Sequence, residues 1–231
     1  MINQLIYYFN RLIDLLKYPI AIVLLLSMPF LVPKLFDIIQ IMIRHKRDYY
    51  PMLWGMGTYI VVWQVLFRNI GSGWFATLEH EFTHIIFAWA TFHRITDLKA
   101  SFTGNGHINY SGAGGGNWLI TISPYFFPTF SALVLGLMYL SKHQFNTFFL
   151  GALGFSLIYH IHSTYKETHA RQPDLKEVGF LYAWLFLPSA NIFGLVMVLT
   201  LIPNDRIYLR IVVDRFYDYG LGVVKVLTNL F

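Results

Sequence analysis

Residues 78–86 read Leu78-Glu79-His80-Glu81-Phe82-Thr83-His84-Ile85-Ile86, an H-E-x-x-H pattern inside an otherwise apolar stretch from Ser72 to Phe92. Residues four apart share one face of a helix. His80 and His84 can therefore direct two imidazole nitrogens at one metal ion, with Glu81 beside them to take a proton from water. The surroundings give the pattern its weight. Between Ser72 and Phe92 the only carboxylates are Glu79 and Glu81, and the only histidines are His80 and His84. An ionisable group at membrane depth costs at least ~2.5 kcal/mol, so four within two helical turns mark a functional site. The competing reading is a polar network that joins helices by hydrogen bonds. Such a network has no need of the four-residue spacing.

The apolar character extends over the whole chain. Of 231 residues 56% are hydrophobic, 18% aromatic and 13% charged, and the mean hydropathy is +0.51. A soluble domain carries about 25% charged residues. The fold class expected is therefore an all-α polytopic membrane protein of about six transmembrane helices, with a short β-hairpin loop after the motif helix. Met1 to Lys17 places Ile2, Leu5, Ile6, Phe9, Leu12, Ile13 and Leu16 at helical spacing. That pattern predicts an interfacial amphipathic helix, retained rather than cleaved as a signal. The spans expected run from Tyr18 to the cluster Arg44-His45-Lys46-Arg47-Asp48, then Met52–Phe67, Ser72–Phe92, Trp118–Leu140, Phe145–Thr164 and Leu175–Ile202. Pro29 and Pro33 imply a kink or a break in the first. Asn105-Gly106 suits a hairpin turn between strands at 98–102 and 107–110. One membrane-embedded domain results, with a catalytic core at 72–201 and a juxtamembrane tail at 203–231.

Other function classes fall away. The chain has no cysteine, which excludes thiolate zinc sites, disulfides and a cysteine nucleophile. A formal charge of +5 is small enough to be juxtamembrane, and no nucleic-acid motif occurs. Lysines and arginines divide nine to eight between the two sides implied by six spans, so they set no orientation. The glycine-rich stretch Ser111-Gly112-Ala113-Gly114-Gly115-Gly116 lacks the lysine and hydroxyl residue of a phosphate-binding loop.

Two histidines leave a third metal ligand to find. Asp174, in Gln172-Pro173-Asp174-Leu175, stands at a helix start from which its carboxylate can lean inward. It also forms a D-x-x-E pattern with Glu177, which would make it a helix cap. The rivals are His160, His162, His169 and Glu167. After the motif helix, a strand edge of the hairpin can capture an unwound substrate segment by adding a strand, and His107 and Asn109 are candidates to stabilise an oxyanion. Asn191 either lines the substrate path or hydrogen-bonds another helix.

On these residues the chain resembles the site-2 protease group of intramembrane zinc metalloproteases, peptidase family M50, in particular its small bacterial members. It shares the H-E-x-x-H of His80, Glu81 and His84 on a membrane helix and the hairpin segment directly after it. His84 and Asp174 are 90 residues apart, similar to the distance at which that family places an aspartate, often in Asn-Pro-Asp-Gly, as third zinc ligand. Here the proline and aspartate stand, with Gln172 and Leu175 at the flanking positions. The segment Ile122-Ser123-Pro124-Tyr125-Phe126-Phe127-Pro128 lies where such proteins carry a small-residue-plus-proline helix start.

The resemblance covers about Ser72 to Leu201. It implies one zinc ion held by His80, His84 and Asp174, with Glu81 as general base. It further implies a membrane protein or peptide as substrate, and a multi-pass protein of the bacterial inner (plasma) membrane. The family core has one span between the histidine and aspartate helices, where this chain shows two apolar segments. Either one of them is re-entrant or the loop at 166–172 dips into the bundle. Two further functions are carried alongside. One is a histidine-box di-iron oxygenase using histidines 80, 84, 160, 162 and 169, although no His-His pair occurs. The other is a non-catalytic subunit or scaffold of a membrane complex.

Overall fold

The computed structural model describes residues 2–67, 73–100, 106–111, 116–141 and 146–202. The tail at 203–231, turn position 105 and most of the glycine-rich run lie outside them. Helix α1 (Ile2–Leu15) forms as expected, but it turns Ile6 and Asn10 inward and Leu5, Tyr8, Leu12 and Leu15 outward, so the expected apolar set is divided and Asn10 is drawn in by hydrogen bonds to Asn117 and His93. Helix α2 (Lys17–Arg44) continues through Pro29 and Pro33, so the prolines do not break it. Interior prolines are tolerated in membrane helices because neighbouring groups satisfy the carbonyls they release.

Helix α3 (Lys46–Val62) ends in a π-helical turn at Trp63–Phe67. The motif helix α4 (Gly73–Ala90) closes with a Schellman motif: Phe92 takes a left-handed φ of 65°, its N–H donates to Trp89 O at 3.0 Å, and His93 N–H donates to Ala88 O at 2.8 Å. That stop turns the chain straight into β1 (Arg94–Ala100), which pairs antiparallel with β2 (Gly106–Ser111). Ile95 faces Tyr110 and Lys99 faces His107, with an irregularity at Thr96. The first strand thus begins before the Leu98 expected from the turn alone, since β-branched Ile95 and Thr96 extend it.

The expected span Trp118–Leu140 is broken. It forms α5 (Trp118–Ile122), a 3-10 turn at Ser123–Tyr125, and α6 (Thr129–Leu140), with an 83° bend between the two arms. Pro124 and Pro128, each lacking an N–H, bracket the bend. Helix α7 (Asn146–Glu167) follows. The expected last span also divides, into α8 (Pro173–Val178) and α9 (Phe180–Thr200), at Gly179 with φ of 91°. Glycine alone adopts that conformation without strain.

Helices α3 and α7 meet backbone to backbone. A Cβ on Gly55 would lie 1.8 Å from Gly151 O, and one on Gly154 2.0 Å from Met52 O. Small residues permit this approach. Leu31, Met52, Met138, Leu153 and Val196 fill the core among α2, α3, α6, α7 and α9. A second cluster, built on Trp118, Ile122, Tyr125, Leu175, Tyr182 and Phe186, joins α5, α8 and α9.

Two helices, α2 and α9, are long and apolar enough to cross a membrane, and the bent pair α5–α6 makes a third if it counts as one span. The other expected spans fall short of that measure among the described residues. Helix α3 has only 17 residues, α4 carries the four ionisable groups, and α7 ends in the polar run from His160 to Glu167.

Candidate metal centre

One turn of α4 separates His80 from His84, and their rings stand 4.8 Å apart at 75°. Both present Nε2 to the same carboxylate oxygen, Asp174 Oδ2, at 3.1 Å from His80 and 3.5 Å from His84. The candidate ligand atoms of all three side chains lie within 4.8 Å of one another. Asp174 reaches this point because α8 is firmly seated. Leu175 and Val178 are buried under Trp118 and Tyr182, and Lys17 Nζ donates to Val178 O at 2.7 Å. Gln172, not Asp174, occupies the N-cap of α8. The D-x-x-E pattern is therefore not a capping box, and the carboxylate points into the bundle.

The second nitrogen of each histidine is also engaged. His84 Nδ1 donates to Ile120 O at 2.8 Å, and His80 Nδ1 donates to Glu167 Oε2 at 3.0 Å. A carbonyl and an ionised carboxylate only accept, so each ring carries a proton on Nδ1, while Nε2 of each faces the Asp174 carboxylate at the centre. The Ile120 carbonyl accepts from Ser123 within the turn, and because residue 124, which would supply the helical N–H, is proline, it accepts from His84 as well. Tyr125, fully buried at the bend, donates its hydroxyl to Asp174 Oδ2 at 3.0 Å and sets its ring edge-on to His80 at 5.3 Å.

Burial pushes the Asp174 carboxyl up, but hydrogen bonds from His80 and His84 and their charge outweigh it and hold the group below the usual carboxylate range. Glu81 is buried beside His80. Two imidazoles and a carboxylate, each histidine held from behind through Nδ1, form a donor set that, with the Nε2 protons given up, suits zinc with a coordination position left open.

The rival ligands have other partners. His162 Nδ1 meets Tyr59 OH at 2.6 Å and packs edge-on to Trp63. His169 Nδ1 accepts from Arg171 N at 3.2 Å on an exposed turn. His160 is buried with Asn191 as its hydrogen-bond partner. Only two of the five histidines of a di-iron arrangement meet at the centre, so the geometry does not favour an oxygenase. Glu79 is buried and accepts from Thr83 Oγ1 at 3.4 Å, and it is not one of the three converging ligands. Asn191 donates to Tyr125 O and to Leu187 O, both at 2.9 Å, which braces the bend against α9. Asn109 is exposed opposite Asp97, and the His107 side chain lies outside the description. The contributions of Ile120 and Tyr125 were not anticipated from sequence. Pro124 is the one trace that pointed to the first.

Comparison with known proteins adds a family. The model for Peptidase M50B-like proteins matches residues 52–200, well over half of the chain, and takes in most of α3 as well as the motif helix and Asp174. No curated protein and no solved structure matches the chain.

Proposed function

Since the chain belongs to the Peptidase M50B-like family, we propose that it is a membrane-embedded zinc endopeptidase that hydrolyses a peptide bond in or beside a transmembrane segment of a membrane-protein substrate. The observation that carries this reading is the convergence of His80, His84 and Asp174 on one point, with the buried Glu81 on the same helix as the two histidines. These three residues would hold one zinc ion, which supplies a Lewis acid for the scissile carbonyl and brings the pKa of water down to about 7.

The protein's own groups do the rest. Glu81 takes the proton of the attacking water and returns it to the leaving amine, a general-base role at a buried position. His80 and His84 would keep their Nδ1 protons directed at Glu167 and Ile120 O, which would leave both Nε2 atoms to hold the ion. Tyr125 fixes the Asp174 oxygen through its hydroxyl and packs edge-on against His80.

Substrate access is supported by an apolar groove of about 750 Å³ between α3, α6 and α7, lined by Trp54, Phe75, Phe130, Phe155 and Tyr159. Phe75 and Tyr159 also line a second, small pocket to which Glu167 contributes. We read the chain as multi-pass in a bacterial inner membrane, with α3, α4 and α7 completing six spans around α2, α5–α6 and α9. The lipid bilayer and a membrane peptide are its partners.

The test is metal content and cleavage of a single-span model substrate by purified wild type, Glu81→Gln and Asp174→Ala. Wild type is expected to hold one zinc and cleave. Glu81→Gln is expected to keep its zinc and lose activity by about 10²–10⁴-fold, and Asp174→Ala to lose both. Equal cleavage by Glu81→Gln and wild type would overturn the mechanism, and an inactive wild type holding zinc would favour a scaffold.

A further inference from the structure

We propose that Glu167 is a positioning residue of this centre, which fixes the His80 ring and its tautomer so that Nε2 faces the metal, and that it is not itself a ligand. The proposal rests on the zinc reading above. His80 lies between two carboxylates at nearly equal distances, Glu167 Oε2 at 3.0 Å from Nδ1 and Asp174 Oδ2 at 3.1 Å from Nε2. The two sides of the ring are otherwise unlike. On the Nε2 side His84 Nε2 converges as well, which makes three donors; the metal-competent cluster among the described residues does not include Glu167. The metal therefore belongs to Nε2, and Nδ1 is the side from which the ring is held.

Glu167 is suited to that holding role. It is the last residue of α7, a helix locked against α3 by the glycine contacts, and its second oxygen meets Ser163 Oγ at 3.4 Å. Its side chain is 19% exposed, so the bond from Nδ1 is charge-assisted and largely shielded from water. A carboxylate behind an imidazole both orients the ring and raises its basicity toward a metal on the other nitrogen. The two histidines differ here. His84 is held by a backbone carbonyl, which no substitution removes, whereas the support of His80 is a side chain and can be tested.

Wild type, Glu167→Gln and Glu167→Met are titrated with zinc against a chromophoric chelator in detergent, and the cobalt-substituted forms are examined by electronic spectroscopy. Glu167→Met keeps the bulk and loses the acceptor, and is expected to bind zinc about 10–100-fold more weakly with an unchanged cobalt spectrum. Glu167→Gln, whose amide oxygen still accepts from Nδ1, is expected to recover most of the affinity. Histidine ¹⁵N NMR of zinc-loaded wild type, which depends on no variant folding, is expected to show His80 protonated on Nδ1. Wild-type affinity in Glu167→Met, or metal on His80 Nδ1, overturns the proposal and leaves the zinc site standing. So does equal loss in both variants with a cobalt spectrum of one ligand fewer, which makes Glu167 a ligand. A wild type that binds neither metal removes the zinc reading itself, and the proposal with it.

Discussion

His84 Nδ1 can use the Ile120 carbonyl because proline at 124 has no N–H to offer it, while Ser123 N and Oγ approach the same oxygen from within the turn. Pro124→Ala introduces a competing donor at that oxygen. The expected result is a several-fold fall in zinc affinity, measured by chelator competition, with the His84 ring less firmly oriented. Unchanged affinity would confine Pro124 to shaping the bend. The residue scale also shows which parts of the centre were legible. His80, Glu81 and His84 were readable because their relation is one turn of helix, a local rule. Asp174 lies far along the chain and was reached through its place at a helix start after Pro173, with spacing and resemblance adding to it. Ile120 acts through its backbone, so its side chain carried no signal at all. Glu167 was visible as an acid near histidines, but whether it ligates or supports depends on which ring nitrogen it meets, and that is a matter of tertiary geometry.

Among the elements, the contact of α3 with α7 determines how firmly Glu167 is presented. Gly55 and Gly57 stand on the same helix, two residues apart, with opposite surroundings. A Cβ at Gly55 meets the Gly151 carbonyl at 1.8 Å, while one at Gly57 meets nothing within 4 Å. Gly55→Ala must push the helices apart and is expected to cost about 1–3 kcal/mol, as overpacking does. Gly57→Ala gains helix propensity, up to about 1 kcal/mol, and is expected to be neutral or stabilising. Thermal unfolding in detergent followed by circular dichroism compares them, and similar midpoints for the two variants would refute the close contact. The elements that sequence reading placed poorly share one cause. Trp118–Leu140 and Leu175–Ile202 are each continuous in hydropathy, and hydropathy does not register the turn at Ser123–Tyr125 or the positive φ of Gly179. Both breaks serve the site, since one delivers Ile120 O and Tyr125 and the other frees α8 to bring in Asp174.

For the molecule as a whole, the centre links two parts of the chain that are otherwise joined by packing. His80 and His84 belong to α4, which runs into the hairpin. Asp174 belongs to α8, which is seated on α5, α9 and the start of α2. The N-terminal helix reinforces the same region through a buried chain in which Asn117 Nδ2 donates to Asn10 Oδ1 at 2.9 Å and Asn10 Nδ2 donates to His93 Nε2 at 3.2 Å. Without metal, His80 still bridges Asp174 and Glu167, so the fold is expected to survive chelation. A ligand that binds only the folded state stabilises it by RT ln(1 + [L]/Kd), about 2.7 kcal/mol at a hundredfold excess over Kd. Removal of zinc is therefore expected to lower the thermal midpoint of wild type while leaving its helical circular dichroism intact below the transition. Asp174→Ala, which lacks one of the three ligands, is expected to unfold at the same temperature with and without chelator. A wild-type midpoint indifferent to chelator, in protein shown to contain zinc, would mean that the ion sits elsewhere and does not join α4 to α8.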